Sequence, residues 1–258
     1  KMAKIELEDI IAAIATPVGE GGISVIRLSG PGALDFIQPF FISSGKKELK
    51  HAPANTILWG KFVTSEEKVI DQVLISLFHA PHSYTGQDVV EISCHGGLAV
   101  TRRILNVLLE KGARHAEPGE FTRRAFLNGK IDLTQAEAVL DLIHAKSSRS
   151  LDIAVRQLSG SLSQSLKGLK EELMRLLAHM EAYIDFPEEG LENNEKMDLQ
   201  KQFTLLRERI RSLIQGFQKN ILIREGVLVT LVGKPNVGKS SLFNALLERD
   251  RALVSELP

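Results

Sequence analysis

The sequence predicts an α+β protein in three consecutive parts: a mixed α/β domain over residues 1–120, a long-helix bundle over 121–223, and the start of a P-loop α/β domain over 224–258. Three observations predict it. Short apolar runs with period-2 alternation, separated by glycine and proline turns, fill the first part. Leucines at three- and four-residue steps fill the second. The third holds Gly233-Lys-Pro-Asn-Val-Gly238-Lys239-Ser240-Ser241, which fits the phosphate-loop pattern GxxxxGK[ST].

Composition sets bounds on function. A chain of 258 residues, 43% hydrophobic and 25% charged, has the ordinary make-up of a soluble globular protein with room for a core. Its 32 acidic and 32 basic residues cancel, so no global field advertises a polyanion partner. Any nucleic-acid role must rest on a local patch. Lone Cys94 excludes an intrachain disulfide and a cysteine-built zinc site, and fits a reducing compartment. No apolar run reaches the roughly 20 residues that span a bilayer, and no signal architecture opens the chain. The expected location is cytoplasmic, with no membrane contact.

In chain order, residues 9–29 read as strand, glycine turn, strand. Alternation in the second strand sets Arg27 on the face of Ile23 and Val25. A cation there either reaches solvent at a strand end or is held for an anion. Pro31 starts a short helix. Thr56–Val63 and Asp71–Phe78, split by the charged turn Ser65–Lys68, read as a hairpin. Residues 79–88 are a loop, and Val89–Cys94 a strand with Glu91 on the face of Val89 and Ser93. Glu91 is either a solvated strand charge or a ligand-holding carboxylate. Cys94 and His95 suggest a nucleophile and its base, yet adjacent strand residues point to opposite faces, which argues against that dyad. A helix after Gly97 ends at Gly112.

From Pro118 the pattern turns helical. Glu120–Asn128 stops at Gly129, with Arg123 and Arg124 read as solvated helix charges and Lys130 left uncommitted by pattern. Thr134 to Glu137 reads as a capping box, with Val139, Leu142 and Ile143 as the buried stripe behind it. Leu158, Leu162, Leu166, Leu169, Leu173, Leu177, Met180 and Ile184 predict one long helix. After the acidic break at Asp185–Gly190, Leu199, Phe203, Leu206, Ile210, Leu213, Phe217 and Ile221 predict a second, antiparallel to the first.

The last stretch carries the most specific chemistry. Val227–Val232 reads as a buried parallel strand and the residues from Leu242 to Arg249 as a helix, which is the strand–loop–helix context the motif requires. Gly233 and Gly238 let consecutive amides converge on phosphate oxygens, with the positive end of the helix behind them. Lys239 then bridges the β- and γ-phosphates and Ser240 ligates Mg²⁺. The phosphate-loop sequence is closer to GTPases than to ATPases. No Asp-x-x-Gly or Asn-Lys-x-Asp segment follows it in this sequence, so the chain is expected to be part of a longer protein and to be inactive alone as a GTPase.

In their order these segments resemble the MnmE (TrmE) family of bacterial and organellar tRNA modification GTPases. The resemblance rests on Ala-Thr-Pro17, Gly21-Gly22, Arg27-Leu-Ser-Gly30, Ser83-Tyr-Thr-Gly86, Asp88-Val-Val-Glu91, His95-Gly-Gly97, Pro118-Gly-Glu-Phe121, Arg124-Ala-Phe-Leu-Asn128, Asp185-Phe-Pro187 and the phosphate loop. It spans almost the whole chain. The family's Cys-Ile-Gly-Lys motif is absent from this sequence.

The resemblance implies a tetrahydrofolate-binding, homodimer-forming N-terminal domain, a helical domain, and a Ras-like GTPase domain inserted in the helical one. It implies hydrolysis of GTP with Mg²⁺ and K⁺. It also implies the partner flavoprotein MnmG, an FAD protein, and an aminomethyl-type group added at C5 of wobble uridine in tRNA. The one-carbon source is a 5-formyl- or 5,10-methylene-tetrahydrofolate. By resemblance Arg27, Glu91 and Lys130 match the folate-binding positions. Gly233, Asn236, Val237, Gly238, Lys239, Ser240 and Ser241 match the nucleotide-binding run, with Ser240 on Mg²⁺ and Asn236 on K⁺. No catalytic residue is identifiable in this stretch. The alternatives are a non-hydrolysing folate-binding dimer scaffold and a ribosome-assembly P-loop GTPase, and the second gives no reason for Arg27 and Glu91.

Overall fold

The computed structural model describes residues 8–45, 49, 52–185, 193–225, 229–235 and 237–248, of which 193–196 and 218–225 by backbone alone. The described residues divide between two compact units. One comprises those up to Lys146 together with Leu151–Lys167, the other Ser147–Ser150 and those from Gly168 onward.

The first unit is built on a mixed sheet. Its strands are β1 (Ile11–Ile14), β2 (Gly21–Ser29), β3 (Phe41–Ser43), β4 (Thr56–Val63), β5 (Val69–Phe78), β6 (Val89–Gly96) and β7 (Arg114–His115). They lie in the order β3-β4-β5-β6-β2-β1-β7, antiparallel at every pair except β1 with β7. The period-2 pattern sets one face inward: Ser24, Ile26 and Leu28 of β2 are buried, as are Val90, Ile92 and Cys94 of β6. Helices α1 (Ala33–Ile37) and α2 (Leu98–Glu110) pack on the sheet. Helix α2 buries Thr101, Ile104, Leu105 and Leu108, the i, i+3, i+4, i+7 stripe of an amphipathic helix.

Arg27 therefore lies on the face opposite the core. Its neighbours along β2 are exposed Ile23 and half-buried Val25, so the apolar side chains beside it do not make a buried wall.

Helices α3 (Glu120–Leu127), α4 (Leu133–His144), α5 (Ser148–Leu158), α6 (Ser161–Asp185) and α7 (Asn193–Glu225) follow. Four expectations are corrected here. The cap of α4 is Asp132, whose carboxylate accepts from the Gln135 amide at 2.9 Å while the Gln135 side chain accepts from the Asp132 amide at 3.0 Å. An aspartate two residues ahead of Thr134 reaches the same amides and claims the role. Of the stripe expected behind it, Val139 and Leu142 are half-buried and Ile143 is 71% exposed, and the buried position is Ala138.

The single helix expected from Leu158 to Ile184 is two helices, broken at Ser159–Gly160, with Gly160 left-handed at φ 87°. Of the expected stripe only Leu158 lies in α5, at its end, while Leu162 to Ile184 all share α6. Arg124, expected in solvent, is fully buried. Its cause is an ion-pair network described below.

Among the described side chains of α6 and α7 the buried ones are Leu176 and Leu206, and Arg209 donates a hydrogen bond to Glu172. The expected antiparallel turn and its Phe186–Gly190 segment lie outside the described residues. So does part of the strand expected at Val227–Val232, whose described residues Val229–Val232 take no strand structure. A strand is defined by its ladder, and none of the described residues pairs with them in one. Helix α8 (Lys239–Leu247) then begins three residues earlier than the pattern suggested. Among the described residues no helix is long and apolar enough to cross a membrane.

Candidate functional sites

The antiparallel register of β2 on β6 sets Arg27 opposite Glu91. Cross-strand neighbours stand within reach of each other, and the pair forms an ion pair. Arg27 donates to the same Glu91 Oε1 through Nε at 2.8 Å and Nη2 at 2.7 Å. Each side chain keeps about a quarter of its surface in solvent, 28% and 26%. Glu91 Oε2 and Arg27 Nη1 take no hydrogen-bond partner among the described residues.

The loop 79–88 closes over this pair. The guanidinium carbon of Arg27 stands 5.4 Å from the centre of the Tyr84 ring and 5.6 Å from that of Phe121. Lys130 is tied to the same loop: its Nζ donates to the Pro81 carbonyl at 3.0 Å. Its stem lies over Gly86, where an added Cβ would meet Lys130 Cγ at 3.2 Å. Gly86 is left-handed at φ 78°, which suits glycine on backbone grounds as well. Arg27 and Glu91 thus meet directly on a rim formed with the loop 79–88, and Lys130 is tied to that loop through Pro81.

The loop is itself anchored. Ser29 and Thr85 share a buried hydroxyl bond of 2.7 Å, Asn128 donates to the Thr85 carbonyl at 2.7 Å, and Tyr84 Oη lies 2.8 Å from Thr122 Oγ1. Arg124 binds Gln87 Oε1 at 3.2 Å, the Asp9 carbonyl at 2.8 Å, Asp9 Oδ1 at 2.6 Å and Glu120 Oε1 at 3.1 Å. Its burial follows from these partners, since a lone cation in that place would be prohibitive. Arg114 binds Asp9 and Glu120 from the other side.

The electrostatics follow the geometry. Hydrogen bonds from Arg114, helped by the Glu117 amide and Arg124, hold the Glu120 carboxyl down at about 2 against the burial that would raise it. Burial pushes Asp9 up, but the hydrogen bonds and charges of Arg114 and Arg124 together outweigh it and leave the group below its usual value. The bonds to Glu120 and Asp9 also raise Arg114 further above the usual guanidinium range.

Sequence reasoning missed this network and the aromatic pair. Glu120 and Arg124 at i, i+4 were the available signal for the first. Tyr84 and Phe121 stood in quoted motifs, but nothing in their spacing said that they meet one arginine.

Cys94 is buried and its thiol pushed up by burial, whereas His95 is exposed and takes its Nδ1 to Asp71 Oδ1 at 2.8 Å. The two do not form a dyad. Among the described residues no cluster of three or more histidine, cysteine or acidic side chains offers a metal site.

The second candidate site is the loop at 233–241. Gly238, left-handed at φ 88°, is the N-cap of α8 and carries no side-chain oxygen to occupy the first amides of the helix. Those amides are the donors a phosphate takes. Lys239 folds back over the loop, its Nζ donating to the carbonyls of Gly233 at 3.0 Å and Lys234 at 2.7 Å. Gly233, Gly238 and Lys239 are thus held in one turn, with Val237 exposed, Ser240 half-buried and Ser241 exposed at its mouth. Asn236 lies outside the described residues.

Two family models match the chain. One described as "GTP-binding protein TrmE N-terminus" covers residues 10–130, and one described as "MnmE helical domain" covers residues 133–252. The chain is 46% identical over 253 residues to the tRNA modification GTPase MnmE of Carboxydothermus hydrogenoformans, covering 98% of this chain and 55% of that protein. It is 49% identical over 253 residues to the protein of the same name from Alkaliphilus metalliredigens, with the same coverage. With that of Thermoanaerobacter sp. it shares 47% over 251 residues, 97% of this chain and 55% of the relative. The chain thus spans about half the length of the curated relatives it matches. With the two models laid end to end over nearly all of it, and this identity held throughout, the chain belongs to the MnmE (TrmE) family.

Proposed function

We propose that the full-length protein is a GTPase that drives modification of tRNA. With a flavoprotein partner of the MnmG type, it uses a tetrahydrofolate one-carbon unit to add an aminomethyl-type group at C5 of wobble uridine. The observation that carries this reading is a phosphate loop, with Gly238 left-handed and Lys239 folded over it, in a chain whose relatives along 98% of its length are named tRNA modification GTPases.

In this reading residues 1–120 form a folate-binding and dimer-forming module, residues 121–223 the first part of a helical domain, and residues 224–258 the start of the GTPase domain. The protein works as a cytoplasmic homodimer. The folate is a 5-formyl or 5,10-methylene form and supplies the carbon. Glu91 accepts hydrogen bonds from the pterin edge, Arg27 holds that carboxylate in place from beside it, and Lys130 is the cation left for the acidic tail. For Lys130 this means exchanging the Pro81 carbonyl for a carboxylate, a stronger partner for an ammonium.

At the nucleotide site the amides from Gly233 to Ser241 receive the phosphates, and Lys239 leaves the Gly233 and Lys234 carbonyls to meet the β- and γ-oxygens. Ser240 ligates Mg²⁺ and Asn236 ligates K⁺.

The test is GTP turnover by the full-length protein in K⁺ against Na⁺, with Lys239→Ala beside it. Turnover that needs K⁺ and falls about a hundredfold or more in the variant is the expected result, the scale for removing a charge that stabilises a transition state. Turnover indifferent to both overturns the proposal.

A further inference from the structure

We propose that Tyr84 and Phe121 form an aromatic clamp that positions Arg27 in the folate site and offers the ligand a ring to stack on. The inference rests on the folate reading of Arg27 and Glu91 given above. An arginine fork bound to a single carboxylate oxygen has freedom to swing about that contact. Here both Nε and Nη2 land on Glu91 Oε1, so the ion pair alone does not fix the plane of the guanidinium. Two rings remove that freedom, because a guanidinium is attracted to the face of each.

The rings come from separate segments, and each is held. Tyr84 belongs to the loop 79–88 and is bonded through its hydroxyl to Thr122. Phe121 stands next to Thr122 in α3, whose own place is fixed by buried Arg124. The hydroxyl bond therefore latches one ring of the clamp to the helix that carries the other. Both rings stay partly in solvent, Tyr84 at 38%, so part of their surface is open beside the Arg27–Glu91 pair. A planar heteroaromatic ring with hydrogen-bonding groups along its edge fits that combination. A carboxylate without a ring would gain nothing from it.

The experiment measures 5-formyltetrahydrofolate binding by the full-length protein and by Tyr84→Leu, Phe121→Leu, Tyr84→Phe, Arg27→Ala and Glu91→Ala. Thermal melting serves as the folding check. Each leucine variant is expected to weaken binding about five- to tenfold, and Tyr84→Phe about two- to threefold, because the ring remains but its latch to Thr122 is lost.

A positioning role predicts more. In an Arg27→Ala background the leucine substitutions should cost clearly less than they do alone, whereas a purely structural role would cost the same in both backgrounds. The Arg27 Nε–H resonance in the ligand-free protein should also move on Tyr84→Leu.

Leucine variants that bind like the parent, while Arg27→Ala and Glu91→Ala bind weakly, overturn the clamp and leave the folate site standing. A parent that binds no folate overturns the ligand reading, and the clamp's ligand role falls with it.

Discussion

The loop at 233–241 and the rim around Arg27 are both built on cations, yet they use the chain in opposite ways. The loop is nine consecutive residues, and the bonds that shape it run from Lys239 to carbonyls five and six positions back. The rim is drawn from β2, β6, the loop 79–88 and the end of α3. Its contacts join residues 64 apart for Arg27 with Glu91, 49 for Lys130 with Pro81 and 38 for Tyr84 with Thr122. A local site needs its own backbone; an assembled site needs the whole sheet in register. Damage to the fold of the first unit should therefore silence the rim and spare the loop.

The largest such effect is expected at Arg124. Replacing it by alanine leaves Asp9, Glu120 and Gln87 facing a void, and removing one member of a buried ionic set costs about 3–5 kcal/mol. Denaturant unfolding of the full-length protein should show that loss in its N-terminal transition, with folate binding abolished and nucleotide affinity kept. A parallel fall in nucleotide affinity would break the contrast between the sites.

Acid should act on the same network in a graded way. Glu120 sits at about 2 in the folded protein against an ordinary 4.5, so its contribution is full above pH 4.5 and is lost as pH falls towards 2. The shift corresponds to on the order of 3 kcal/mol for this one group. Asp9 is lowered as well and acts in the same direction. The N-terminal transition should weaken across that window, and Glu120→Gln, less stable at neutral pH, should have a flatter profile. An equally steep profile in the variant would place the acid sensitivity elsewhere.

How much was legible follows the same division. The motif spelled out the loop, and alternation gave the strands, the hairpin at 56–78 and the face on which Arg27 lies, because those signals are local. Glu91 opposite Arg27 depends on the pairing of β2 with β6, which no single segment states. Arg124 read as a solvated charge because its partners Asp9 and Gln87 lie 115 and 37 residues away. Gly160 broke a leucine stripe that periodicity carried straight through, since the spacing is blind to a left-handed residue. The resemblance of ordered motifs supplied Lys130, which no pattern had selected.

Between these scales stands Glu91→Ala. It removes the carboxylate but leaves Arg27 at a solvated rim, so stability should change little. Folate affinity should fall roughly ten- to thirtyfold, the scale of a charge-assisted hydrogen bond, with GTP binding unchanged. Calorimetric titration of each ligand against the same preparation reads both halves. Loss of both affinities would mean that the two sites are not separable.

The smallest effect sharpens the comparison most, because it sets two glycines of like conformation against each other. Gly86 and Gly238 are both left-handed, at φ 78° and 88°. An alanine at either meets the same backbone penalty, about 1–2 kcal/mol. At Gly238 nothing lies within 4 Å of the added carbon, so in stability the penalty stands alone. At Gly86 the added carbon meets Asn128 Cβ at 3.1 Å and the Lys130 stem at 3.2 Å, closer than side chains ordinarily pack. Lys130 is flexible and can yield, but yielding moves its ammonium off the rim. Gly86→Ala should thus lose a little more stability than Gly238→Ala and should weaken folate binding a few-fold. Combined with Lys130→Ala, which removes the crowded stem, it should add almost nothing further to the folate defect. Full additivity would show that the glycine serves the loop's backbone alone and that Lys130 is not placed through it.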